Sequence, residues 1–125
     1  MLNLTPHKIS IMGKDGKMID FLPAGKVVRV LFKNTVVDNP YLPVETVTSD
    51  FVSIDGIPQA NSDNPFLVSS MVLDHLDSSY HNIAFAPDAF PSAARDANGN
   101  VLYSLRLKTV KKENNNDWFY FTIRS

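Results

Sequence analysis

Apolar residues recur along this chain in short runs broken at close intervals by Gly, Pro, Asn and Asp, a pattern of strands and turns rather than of the 3.6-residue helical period. From Lys8 to Met12 polar and apolar residues alternate. Gly13-Lys14-Asp15-Gly16 then offers the positive backbone angles of a tight turn, and Lys17 to Leu22 returns, which predicts a hairpin. Pro23-Ala24-Gly25 interrupts the pairing, because proline has no N–H to donate, and Lys26 to Phe32 is expected as a third strand with Arg29 in its middle. Lys33 to Pro43 shows no periodicity and holds two prolines, so it reads as a long surface loop before a strand over Val44 to Ile54. Asp55 to Pro65 is irregular as well, either a flap over a site or a variable connection.

Phe66-Leu67-Val68 has the composition of a buried strand, and Ser69 or Ser70 can cap a short helix through Met71 to Leu76. The spacing of Met71, Val72, His75 and Leu76 assigns them to its inward face. Ile83 to Ala86 is a further strand and Pro87 to Pro91 a turn. Ala97-Asn98-Gly99-Asn100 is a hairpin signal before a strand from Val101 to Val110. Lys111 to Asp117 is a solvated turn into a last strand, Trp118 to Ser125. The expected fold is mainly β (α+β), a single domain over residues 1–125 built as one compact antiparallel sheet or barrel with one short helix near 70–77.

The length of 125 residues suits one core. Twelve Lys and Arg against thirteen Asp and Glu leave a formal charge of -1, without the positive field that a nucleic acid polymer or an anionic membrane attracts. With no cysteine in the chain, disulfides, thiolate metal sites and cysteine nucleophiles are ruled out. The start lacks a basic, then apolar, secretory pattern, and no apolar run reaches the ~18 residues of a membrane helix. A cytoplasmic location is therefore expected, in the host if a phage encodes the chain.

Candidate chemistry is sparse. His7, His75 and His81 match no metal-ligand spacing, no metal or other cofactor is expected, and no nucleophile with a base stands out among the serines. His75 reads as a histidine at the edge of the core and His81 as a solvated turn residue. Arg29 and Arg95 lie in or beside expected strands, where a rigid backbone can aim a guanidinium at an anion; the competing view leaves Arg29 on an exposed face and pairs Arg95 locally. Of the rings, Tyr41 and Phe90 fall in loops and suit stacking on a base better than Phe85, Tyr103, Trp118 or Tyr120, whose default is packing.

Four segments taken in order, Leu2-Asn3-Leu4-Thr5-Pro6-His7-x-Ile9, Pro23 to Val30, Phe66 to Val72 and Arg95-Asp96-x-x-Gly99-Asn100-Val101, resemble a group of small bacterial and phage proteins that open with an N-L-T-P-H signature. That resemblance implies kinship rather than an activity. By analogy of class alone, small β-rich phage proteins include anti-defence sponges that bind cyclic nucleotide or cyclic ADP-ribose immune signals without cleaving them. A sponge needs a hollow with phosphate-pairing donors and a ring, and no metal or nucleophile. Convergence of the four segments implies Thr5, His7, Arg29, Ser69, Ser70 and Arg95 as the ligand-binding set.

The leading expectation is thus a non-enzymatic protein that sequesters a phosphorylated, nucleotide-like small molecule. The alternatives are a phage or bacterial structural module that docks a protein through a β edge or long loops, and a nucleotide hydrolase with His7 as acid or base. A homo-oligomer is compatible with each.

Overall fold

The computed structural model describes residues 1–61, 63–88, 94–99 and 101–112. Its centre is a four-stranded mixed sheet in the order β1 (Leu2–Asn3), β6 (Phe66–Leu67), β7 (Ala84–Pro87), β10 (Leu107–Thr109). Strand β6 runs parallel to both β1 and β7, and β10 closes the sheet antiparallel to β7. Three two-stranded ladders surround it: β2 (Ile9–Met12) with β3 (Met18–Phe21), β4 (Arg29–Val37) with β5 (Thr46–Asp55), and β8 (Ala94–Arg95) with β9 (Val101–Tyr103). Among the described residues the fold is mainly β with one short α-helix, α1 (Ser70–Leu73), as expected. In place of a single antiparallel sheet, however, the central strands are partly parallel, because the chain between β6 and β7 is long enough to cross over, and that crossover carries the helix.

Burial explains this centre. Phe66, Leu67 and Val68 expose 1%, 0% and 0% of their surface, so β6 is covered on both faces, the environment of a parallel inner strand. Phe66 and Val68 join Leu4, Val28, Val72, Leu73, Ala84, Ala86 and Val110 in the main cluster. Ser69 caps the helix, its Oγ accepting the Val72 N–H at 3.2 Å. The inward residues of α1 are Val72 and Leu73, with Leu76 half-buried beyond it; Met71 faces solvent, since the helix ends after one turn and the longer face of the expected helix never forms.

The first hairpin forms as its turn chemistry dictates. Gly16 takes a φ of 81°, the Gly13 N–H donates to the Lys17 carbonyl at 2.8 Å, and Asp15 Oδ1 accepts the Lys17 N–H at 3.0 Å. Gly99 plays the corresponding part, φ 82°, between β8 and β9. The expected strand Val101–Val110 is divided: β9 pairs with β8, Ser104 bridges to Ile11, and β10 pairs with β7.

The expected loop over Lys33 to Pro43 is corrected. Strand β4 continues to Val37 and pairs with β5 as far as Thr46, leaving only residues 38–45 as the tip. Lys33-Asn34-Thr35 shows no alternation because both faces of this two-stranded arm are open to solvent at that level. At the tip, Asn39 Oδ1 accepts the Tyr41 and Leu42 N–H groups at 3.1 and 3.3 Å. The last expected strand, Trp118 to Ser125, lies outside the described residues, as does Phe90.

Candidate functional site

The N-L-T-P-H segment is organised by Asn3, which is 1% exposed. Its Nδ2 donates to the carbonyls of His7 (2.7 Å) and Phe21 (2.9 Å), while its Oδ1 accepts the Thr5 N–H (3.0 Å) and the Thr5 hydroxyl (2.7 Å). All four hydrogen-bonding positions of the amide are therefore filled. The strand β1 and the edge of the first hairpin are tied to one side chain, and the Thr5-Pro6-His7 turn is held against them. Sequence reading missed Asn3; the signal available was an Asn two residues before a Thr-Pro pair, the spacing of a side chain that closes its own turn.

That turn stands between two adjacent hollows. The first, about 290 Å³, is walled by Leu4, Val27, Val28, Val30, Leu31, Met71 and Val72 and carries Thr5, Arg29 and Ser69 as its polar members. The second, about 330 Å³, is lined by His7, Lys8, Ser10, Ser70, Tyr103 and Ser104 with Ile9, Pro87 and Leu102. Thr5 and Ser69 border the first, His7 and Ser70 the second, so two short segments each serve both hollows. Five of the six expected binding residues thus gather in one region.

Arg95 does not join them. Its Nη1 donates to the Gly99 carbonyl at 2.8 Å within its own hairpin, and it lines neither hollow. Arg106 pairs with Asp88. Arg29 differs from both: among the described residues its guanidinium makes no hydrogen bond or ion pair, and it stands exposed beside the first hollow.

The hydroxyls differ in what they have left to donate. The proton of Thr5 is directed at Asn3 Oδ1, with the His7 carbonyl at 3.1 Å as a second acceptor, so Thr5 shapes the site without a donor to spare. Ser10 donates to Asp20 Oδ1 at 2.6 Å. Ser69 uses only its lone pair, as acceptor in the helix cap, which leaves its O–H for a ligand. In the second hollow Tyr103 and Lys8 supply a ring and a cation that the expected set did not include.

The other candidates have structural partners. His75 is exposed rather than at the core edge, with its ring stacked on Phe51 and its Nδ1 2.8 Å from the Met71 carbonyl. His81 is half-buried, its Nδ1 2.7 Å from the Val110 carbonyl, rather than solvated. Tyr41 is 89% exposed at the arm tip, away from both hollows. Among the described residues no three His, Asp or Glu side chains gather as a metal site, and no helix is long and apolar enough to cross a membrane. The shifted ionisations lie elsewhere. Burial, with a smaller push from the Asp77 charge, raises the Tyr80 phenol above its usual range, and the Ser79 hydroxyl and N–H hold the Asp77 carboxyl below its own.

Comparison with protein-family models, curated proteins and solved structures finds no match.

Proposed function

We propose that this chain is a non-enzymatic binding protein for a phosphorylated, nucleotide-like small molecule, with the phosphate at Arg29 and Ser69 and the ring in the neighbouring hollow beside His7 and Tyr103. The observation that carries the reading is the uncommitted guanidinium of Arg29 at an apolar hollow, where every other described arginine is already engaged. A guanidinium and a hydroxyl complement a phosphate in charge and in donor geometry. The two hollows, about 290 and 330 Å³, lie on either side of the Thr5–His7 turn, so a compound that carries a phosphate and a ring has a hollow for each. Cyclic nucleotides and cyclic ADP-ribose have these parts, and a protein that held such a signal unchanged would act as a sponge.

Calorimetric titration of the purified protein against a panel of these compounds tests the reading. A saturable heat with one of them is expected, and chromatography should recover the compound intact. Heats of dilution across the whole panel end the proposal; recovery of a cleaved product replaces it with a hydrolase.

A further inference from the structure

The β4–β5 arm is the largest feature that the hollows leave unexplained. Nine residues of β4 span roughly 30 Å at the usual strand rise, and among the described residues the ladder from Arg29 to Val37 has no third strand. Val30 and Ile54 pack against the core, and Phe32 and Phe51 meet His75. Past that level nothing from the rest of the described chain covers the arm: Val36 is 64% and Val47 44% exposed. A two-stranded ribbon with both faces wet is marginal in water, and a third and fourth strand are the ordinary remedy.

We infer that β4 pairs edge to edge with β4 of a second copy, antiparallel about Asn34. The order of residues along β4 favours this pairing. Leu31-Phe32-Lys33-Asn34-Thr35-Val36-Val37 reads apolar, apolar, polar, polar, polar, apolar, apolar in either direction. Two-fold pairing centred on Asn34 therefore sets Phe32 opposite the partner's Val36 on one face, and Leu31 opposite the partner's Val37 on the other. Lys33 meets the partner's Thr35, so no like charges lie directly opposite, and Asp50, the register neighbour of Lys33 within the arm, offsets its charge. A closed two-fold contact of this kind uses one patch twice.

The β5 edge is less suited to the role. Its register slips opposite Leu31, where Val52 stands as the extra residue, and a bulge bends a strand away from regular pairing. Pairing about Ser49 would also set Thr46 against the partner's Val52, polar against apolar. The pairing is inferred without reference to a ligand, and Leu31 belongs both to this contact and to the wall of the first hollow.

The absence of cysteine makes the test clean. Opposed residues of antiparallel strands have Cα atoms ~4.5–5.5 Å apart, inside the ~4.4–6.8 Å range of a disulfide. Under mild oxidation Asn34→Cys should run at twice the chain mass on a non-reducing gel, whereas Ser49→Cys, its neighbour on β5, should stay single. Sedimentation equilibrium of the unmodified protein should give a dimer. Val36→Lys should weaken it roughly tenfold or more with unchanged circular dichroism, because the substituted pair occurs twice about the axis. A monomer at the highest soluble concentration, open-ended assembly, or cross-linking by Ser49→Cys in place of Asn34→Cys overturns the inference.

Discussion

Asn3 Oδ1 receives both the backbone N–H and the hydroxyl of Thr5, at 3.0 and 2.7 Å, inside a side chain that is almost wholly buried. The same amide spans from the first strand to the carbonyl that ends the first hairpin, so a local turn and a contact eighteen residues away share one residue. Asn3→Ala strips partners from the Thr5 N–H and from the carbonyls of His7 and Phe21 at once. A loss of about 2–4 kcal/mol is expected, the scale of several buried polar groups left unpaired, and a urea melt measures it. Thr5→Val keeps the shape but removes the hydroxyl that donates to Asn3 Oδ1 and accepts the His7 N–H, so it should cost about 1–2 kcal/mol.

Arg29 and Arg95 should part company in binding. With a ligand identified by calorimetry, Arg29→Ala is expected to lose about 1.5–3 kcal/mol of affinity, the value of a charge-assisted contact. Arg95→Ala should leave affinity unchanged, because its Nη1 serves the Gly99 carbonyl. Equal losses from the two variants would contradict the separation of Arg95 from the hollows.

Tyr80 links the crossover to the irregular segment after β5: its hydroxyl donates to the Pro58 carbonyl at 2.8 Å and its ring meets Phe66 edge-on at 6.2 Å. Tyr80→Phe keeps the ring and loses the bond, for an expected cost of about 1 kcal/mol in thermal or denaturant unfolding. Because folding raises the phenol above its unfolded value of about 10, its contribution is complete below that pH and is lost as pH climbs through the folded value. Wild-type stability should therefore fall in alkaline solution more steeply than that of Tyr80→Phe, and paired melts across that range check the sign.

Asp77 shows the opposite sense. Its Oδ1 accepts the Ser79 N–H at 2.9 Å and the Ser79 hydroxyl, capping the 3-10 turn Ser78–Tyr80. A carboxyl held below its unfolded value contributes above that value and stops contributing as pH falls through the folded one. NMR titration of the Asp77 carboxyl carbon should give a midpoint under that of an unstructured Asp, and Ser79→Ala should move it back up.

His75 fastens the arm to the body, with ring centroids 4.8 Å from Phe51 and 5.8 Å from Phe32. His75→Ala should cost about 0.5–1.5 kcal/mol in ring contacts. Hydrogen exchange is the more direct readout: amides of residues 32–37 and 46–51 should exchange faster while those of β6 and β7 keep their protection.

Short-range chemistry was legible without coordinates. Gly16 and Gly99 announce their hairpins because few other residues accept positive φ there, the Ser69-Ser70 pair announces a helix because a hydroxyl beside an apolar run caps one, and Phe66-Leu67-Val68 announces a buried strand. Lys33 to Val37 was not legible as strand, since a ribbon open on both sides imposes no alternation. Parallel pairing of β1 with β6 was not legible either, because nothing in a two-residue strand records which distant neighbour it meets.

The same division runs through the site. Residue type established that hydroxyls, imidazoles and guanidiniums were present and that thiols were not, because those are properties of single side chains. Whether a donor remains available depends on which acceptor lies within about 3 Å of it, and that acceptor can come from anywhere in the chain. Local turns and the first hairpin committed Thr5 to Asn3, Ser10 to Asp20 and Arg95 to Gly99, whereas only long-range packing brought Arg29 and Ser69, distant in the chain, to the border of one hollow.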